Sequence, residues 1–245
     1  MTRGRARGGG SAAGSGQPTI KQALEGFVAS RPARWRRAVR SALQLLEACL
    51  NNYAYQSLGA ADARRFDRLY DAEGAAHREY CEIFGPERIV PELRQFFGWF
   101  LIRKVMARAE DLEIVARETG RFVEWLGEQG HLPRKAAAEG AALAAEAVGV
   151  VPRAEEAAHL WHRHLERHGP GAVGNEIEGH FGITRIEHGR VWLESYDEEG
   201  VLGPIAAPAD VVKRLAVGWE VSGVVGRVGR KWVVSEVWNV YPGVG

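Results

Sequence analysis

Cysteine is scarce in this 245-residue chain: only Cys49 and Cys81 occur. They form no Cys-x-x-Cys pair, the commonest start of a zinc site. Both fall on apolar helical stripes, where a thiol acts as a small buried hydrophobe, so a disulfide is not expected. Long apolar runs are also missing, and without about 18 consecutive apolar residues the sequence offers no membrane-spanning helix. The opening Met1-Thr2-Arg3-Gly4-Arg5-Ala6-Arg7-Gly8 lacks the apolar stretch of a secretory signal, so a cytoplasmic location is expected. No Walker loop and no Gly-x-Ser-x-Gly elbow occurs, and no glycine-rich run stands between a strand and a following helix, where a dinucleotide fingerprint must sit. Neither cysteine has a histidine placed to make it a nucleophile. No cofactor and no enzymatic activity are therefore expected. Net charge is nearly absent, with 32 Lys and Arg against 31 Asp and Glu.

What is present is a change of period. Up to Gly169-Pro170-Gly171 apolar residues recur at helical spacing; beyond it they alternate, with aromatics and glycine turns between short runs. Residues 1–17 carry arginine, glycine, serine and alanine and cannot bury enough apolar surface to order themselves, so a disordered tail is expected there. Its plainer reading is a solubilising leader, although its Arg-Gly pairs could also touch nucleic acid.

Residues 18–132 read as a helical domain. Thr19 is placed to cap a helix carrying Ile20, Leu24 and Phe27. Trp35, Val39, Leu43, Leu46 and Leu50 form one stripe at spacings of three and four, the mark of a long amphipathic helix. Asp62 caps the next helix, which loosens near Gly74 and stops at Gly85-Pro86. Pro91 opens a helix over 92–106 that is apolar all round through Phe96, Phe97, Trp99 and Phe100 and should be the central buried element. Asp111 caps a further helix, with Glu113 and Arg117 paired on its outer face.

Residues 133–170 read as connecting helices: an alanine-rich one from Pro133 to about Val148, then a second opened by Pro152. Residues 171–245 read as a small β barrel. Strands are expected over 180–186, 190–196, 201–205, 219–225 and 231–237, with a short helix over 208–215. Three strands, a helix and two strands is the order of an OB-type barrel, with an SH3-like barrel as the alternative. The fold class is thus α+β, helices first and a five-stranded barrel last.

Charge is unevenly spread. Residues 21–110 hold fifteen basic against eleven acidic groups, and residues 151–245 hold ten against thirteen. Arg34, Arg36, Arg37 and Arg40, aided by Arg64 and Arg65, are the candidate nucleic-acid contacts, and a solvated helix face is the plain alternative. On the alternating strands Trp192, Trp232 and Trp238 point away from the apolar residues beside them, which on the fifth strand are Val233 and Val237. They could stack on unpaired bases or bury against the helices; the acidic barrel favours burial at the domain interface. His164 and His168 share a helix face at a metal-ligand spacing, but Trp161 and Leu165 claim the buried side and no metal is expected. His164-x-x-Arg167 with Tyr196 further on resembles the catalytic set of tyrosine recombinases, yet Tyr196 adjoins the acidic Asp197-Glu198-Glu199, which would repel a phosphate.

Residues 111–132, through Leu112, Val115, Thr119, Phe122, Trp125-Leu126 and Gly130, resemble the closing helix of the core-binding, SAM-like domain of phage integrases and tyrosine recombinases. The resemblance covers about a fifth of the chain and implies an all-α, DNA-clasping domain with no catalytic domain attached. Other stretches, such as Phe84-Gly85-Pro86-Glu87 and Trp238-Asn239-Val240-Tyr241-Pro242, look like uncharacterised prokaryotic proteins and imply no function. The expected function is a non-catalytic, nucleic-acid-associated accessory protein that meets DNA or RNA through its helical domain. A protein–protein interaction or regulatory module is the alternative.

Overall fold

The computed structural model describes residues 16–197 and 199–245. The tail arginines Arg3, Arg5 and Arg7 lie outside the described residues. The chain is α+β: helices first, then an antiparallel sheet. Helix α1 (Ile20–Ser30) starts as its residues dictate, with a capping box in which Thr19 Oγ1 accepts from the Gln22 N–H and Gln22 Oε1 accepts from the Thr19 N–H. A tight turn at Arg31-Pro32 leads into α2 (Ala33–Tyr53), which buries Val39, Leu43, Leu46, Cys49 and Leu50.

Trp35 does not join that stripe. It sits in the first turn of α2, beside the connection where α1 has already ended, and is 55% exposed. The helical period was right; the partner helix is too short to cover its first member. Helix α3 (Ala60–Tyr70) has Gly59 rather than Asp62 as its cap, and Asp62 lies in its first turn paired with Arg88. The short α4 (Tyr80–Ile83) then docks on α2, with the Cys81 N–H donating to Asn51 Oδ1 at 2.9 Å.

The expected central helix is present as a run of three parts: α5 (Ile89–Gln95), a π-helical turn (Phe96–Phe100) and α6 (Leu101–Lys104). Phe96, Phe97, Phe100, Leu101 and Ile102 are all buried. Helix α7 (Ala109–Glu128) begins after Arg108, two residues before the expected Asp111 cap, and packs Phe122 and Trp125 edge-on against Phe27. Helix α8 (Arg134–His168) is one element, not two. Pro152 lies inside it, where the missing N–H removes one helical hydrogen bond. Val151, Ala154, Ala157, Ala158 and Trp161 around the proline are buried, so packing on both sides carries the helix through.

Five antiparallel strands follow: β1 (Gly174–Glu187), β2 (Arg190–Ser195), β3 (Val201–Ala206), β4 (Glu220–Val228) and β5 (Lys231–Tyr241), with a short α9 (Ala209–Val212) between β3 and β4. The sheet order is β3-β2-β1-β4-β5. Strands β3 and β5 come into contact, but among the described residues no ladder joins them, so the expected barrel is not closed by hydrogen bonds. Pro204 stands inside the six-residue β3 and has no N–H to give a further neighbour, which suits an edge strand.

Register changes also correct the inward face of β5. Gly223 pairs with Val237 while Ser222 pairs with Asn239, and Val225 pairs with Val234 while Val224 pairs with Glu236. Ser235 and Trp238 are thus extra residues in bulges, and Val234, Val237 and Val240 face the core rather than Val233. The sheet docks on α8 through Arg153 over the Trp219 ring at 4.5 Å and an Arg214–Glu156 ion pair at 2.8 Å. The chain end is tied to the helices as Arg94 donates to the carbonyls of Val244 and Gly245.

Candidate nucleic-acid interface

The arginines singled out from sequence do different work. Arg36 reaches back across the α1–α2 turn and donates to the carbonyls of Ala29 (2.8 Å) and Arg31 (2.9 Å). These groups lie at the C-terminal end of α1, where carbonyls lack helical partners and a cation is favoured. Arg36 therefore fastens the turn. Arg34 leans toward the Trp35 ring at 5.8 Å, and Arg37 is exposed on the same flank three residues on. Arg40 lines a shallow pocket of about 210 Å³ with Lys21, Glu25 and Glu47, so its charge faces carboxylates as well as solvent. Burial pushes the Glu47 carboxyl above its ordinary range, and Lys21 beside it opposes that rise.

Among the described residues, none of Arg34, Arg36, Arg37 and Arg40 forms an ion pair with a carboxylate. Arg88, Arg117, Arg121, Arg185 and Arg214 all do. Of the α2 group, Arg34 and Arg37 thus leave positive charge without a carboxylate partner beside an exposed tryptophan. Arg64 and Arg65 do not extend it. Arg65 donates to the Ile83 carbonyl at 3.1 Å and lies over the Phe84 ring, and α4 is held near Asn51 of α2. From Arg37 to Asn51 the helix rises about 21 Å, so the two arginine groups sit at opposite ends of α2.

The sheet tryptophans also divide. Arg185 of β1 lies over Trp192 at 4.4 Å and Arg227 of β4 lies over Trp232 at 4.1 Å. These rings are covered by arginines of the sheet itself. Trp238 is 44% exposed, and its indole N–H donates to Glu236 Oε2 at 3.1 Å. It lines a cleft between the sheet and the helices, across from Arg103, Lys104 and Arg108 and beside His159 and His162 of α8. The reading from sequence missed those three cations, because nothing local in residues 103–108 reveals that β5, some 130 residues later, lies opposite.

Elsewhere on the outer sheet face the charge is negative. His180 Nδ1 meets Glu220, its ring stacks on Tyr241 at 5.7 Å, and Glu194 and Asp197 lie nearby on the same strands and turn. Burial raises the Tyr196 hydroxyl pKa, and Glu220 reinforces the shift. His164 and His168 stack on each other at 4.9 Å near the end of α8. Among the described residues no group of three or more His, Cys, Asp or Glu is placed to hold a metal ion, and no helix is long and apolar enough to cross a membrane. No family model, curated protein or solved structure matches the chain.

Proposed function

We propose that this chain is a non-catalytic nucleic-acid-binding accessory protein, for DNA in the first instance, that holds phosphates at its α1–α2 turn. The observation that carries the reading is Trp35, 55% exposed between Arg34 and Arg36. An aromatic platform beside Arg34 and Arg37, neither in an ion pair among the described residues, suits a base and its phosphates together. In this reading Arg34 and Arg37 contact phosphates, Trp35 contacts a base or sugar, and Arg36 holds the turn in shape. The integrase-like look of α7 belongs to the same proposal, since α7 packs on α1 through Phe27. We also propose that the sheet is an OB-type half-barrel; its strand order, the approach of β3 to β5 and the helix between β3 and β4 support that reading.

The test is a salt titration of binding to duplex and single-stranded oligonucleotides. Arg34→Glu with Arg37→Glu should abolish retention on heparin and remove about two phosphate contacts from the salt dependence of wild-type binding. Absence of nucleic-acid binding in the wild-type protein at low salt would sink the proposal.

A second reading, a protein-interaction module, is favoured by the surface ladder Tyr55–Phe66–Tyr70. Its rings stack at 5.6 and 5.0 Å, and both tyrosines are exposed. Tyr55→Ser with Tyr70→Ser should release a protein partner and leave oligonucleotide binding intact.

A further inference from the structure

The cleft at the seam between helices and sheet is chemically unlike the α2 surface. It is an open cleft of about 920 Å³ between the α6–α7 connection, α8 and β5, in the upper size range of small-molecule sites. One wall is Trp238, presented there because it is the extra residue of a bulge and steadied by its bond to Glu236. The facing rim carries Arg103, Lys104 and Arg108, all exposed and none in an ion pair among the described residues. The cleft floor is apolar where Ile102 and Ala158 line it. Two carboxylates, Asp111 and Glu155, also line it beside the three cations, Glu236 borders it through its bond to Trp238, and His159 and His162 complete the α8 side, with His162 Nε2 3.4 Å from Glu166.

We infer that this cleft binds a nucleoside phosphate, with the base on Trp238 and the phosphates on Arg103 and Arg108. A flat aromatic wall facing cations across an apolar floor answers the two halves of such a ligand: a π-face to stack, and an anion to neutralise. Glu155 on α8 lines the same cleft. It is half-buried, and burial raises its carboxyl pKa above the ordinary range. A carboxyl of that kind accepts from, or when protonated donates to, the polar edge of a base.

The experiment is calorimetric titration of the full chain with nucleoside mono-, di- and triphosphates, inorganic phosphate and a short oligonucleotide. Nucleotides should bind, and Trp238→Ala should weaken them about 5- to 150-fold while Trp238→Phe restores most of the affinity. Arg103→Ala with Arg108→Ala should weaken nucleotides and inorganic phosphate alike. Arg34→Glu with Arg37→Glu should leave nucleotide binding unchanged, which separates this site from the one proposed on α2. No heat with any nucleotide at millimolar concentration overturns the inference, as does equal affinity in folded Trp238→Ala. Binding of the oligonucleotide at this cleft with no mononucleotide binding overturns it too, in favour of a polymer groove.

Discussion

Arg36 and Arg37 are neighbours in sequence and alike in chemistry, yet replacing each with alanine should have opposite consequences. Arg36 makes two charge-assisted hydrogen bonds to carbonyls at the end of α1, at 2.8 and 2.9 Å. At an exposed site each is worth the lower part of the usual range, about 0.5–1 kcal/mol. The favourable cation at a helix C-terminus adds about 0.3–1 kcal/mol. Arg36→Ala should therefore cost about 1.3–3 kcal/mol, a fall in Tm of roughly 3–12 °C for a chain of this size. Arg37 has no such partner, and Arg37→Ala should stay within about 0.5 kcal/mol of wild type. Binding should reverse the order at the level of salt dependence. Arg37→Ala should flatten the slope of log affinity against log salt by about 0.9 on duplex DNA. Arg36→Ala should change affinity only as far as the turn loosens. Thermal melts by circular dichroism and a salt series of fluorescence anisotropy read both quantities. Equal Tm losses, or a larger one for Arg37→Ala, would refute the division of labour drawn from the hydrogen bonds.

Other outcomes follow from burial and close approach. Glu155 has a raised carboxyl pKa in the folded protein, so folding favours its protonated form. Its contribution is favourable below the unfolded carboxyl pKa and is lost as pH rises through the folded one. Glu155→Gln should accordingly raise Tm at neutral pH, with the gain vanishing near pH 4; a gain that persists at low pH would contradict this. Burial pushes the Cys49 thiol up to about 12 and the Cys81 thiol well above its ordinary value. Neither should react with a thiol reagent at pH 8 until denaturant is added, and rapid labelling of the native protein would show that this core opens. A Cβ on Gly223 would stand 2.0 Å from the Glu236 carbonyl oxygen. Gly223→Ala should thus break the bulge that presents Trp238 and lower stability by about 1–3 kcal/mol, measured by urea denaturation.

Much of the architecture was legible in the residues because it depends on short-range rules. Alternation bounded by glycine turns located all five strands to within a few residues at most ends, and Pro208 located α9. The core-facing cysteines and the Thr19 capping box follow from neighbours three and four positions away. Where two rules met, local reading failed. Pro152 is a helix opener by sequence, yet burial of Val151 and Ala154 on α8 overrides it. Val233 lies on the inward parity of β5, but a bulge shifts that parity and turns Val234 to the core.

The candidate sites divide along the same line. The clustering of Arg34, Arg36, Arg37 and Arg40 is a property of the sequence, since residues three and four apart on a helix share a face. Which of them is free is not. That Arg36 is bonded to α1, that Trp35 outlasts its partner helix, and that Arg64 and Arg65 stand a helix-length away all depend on how α1, α2 and α4 pack. The seam cleft belongs wholly to the tertiary structure. Local patterns settled most of the elements and their order along the chain, and composition settled where the charges lie. Only packing brought residues 103–108, α8 and Trp238 together, because their meeting is a contact between segments far apart in the chain, and no pattern of period two or 3.6 carries that information.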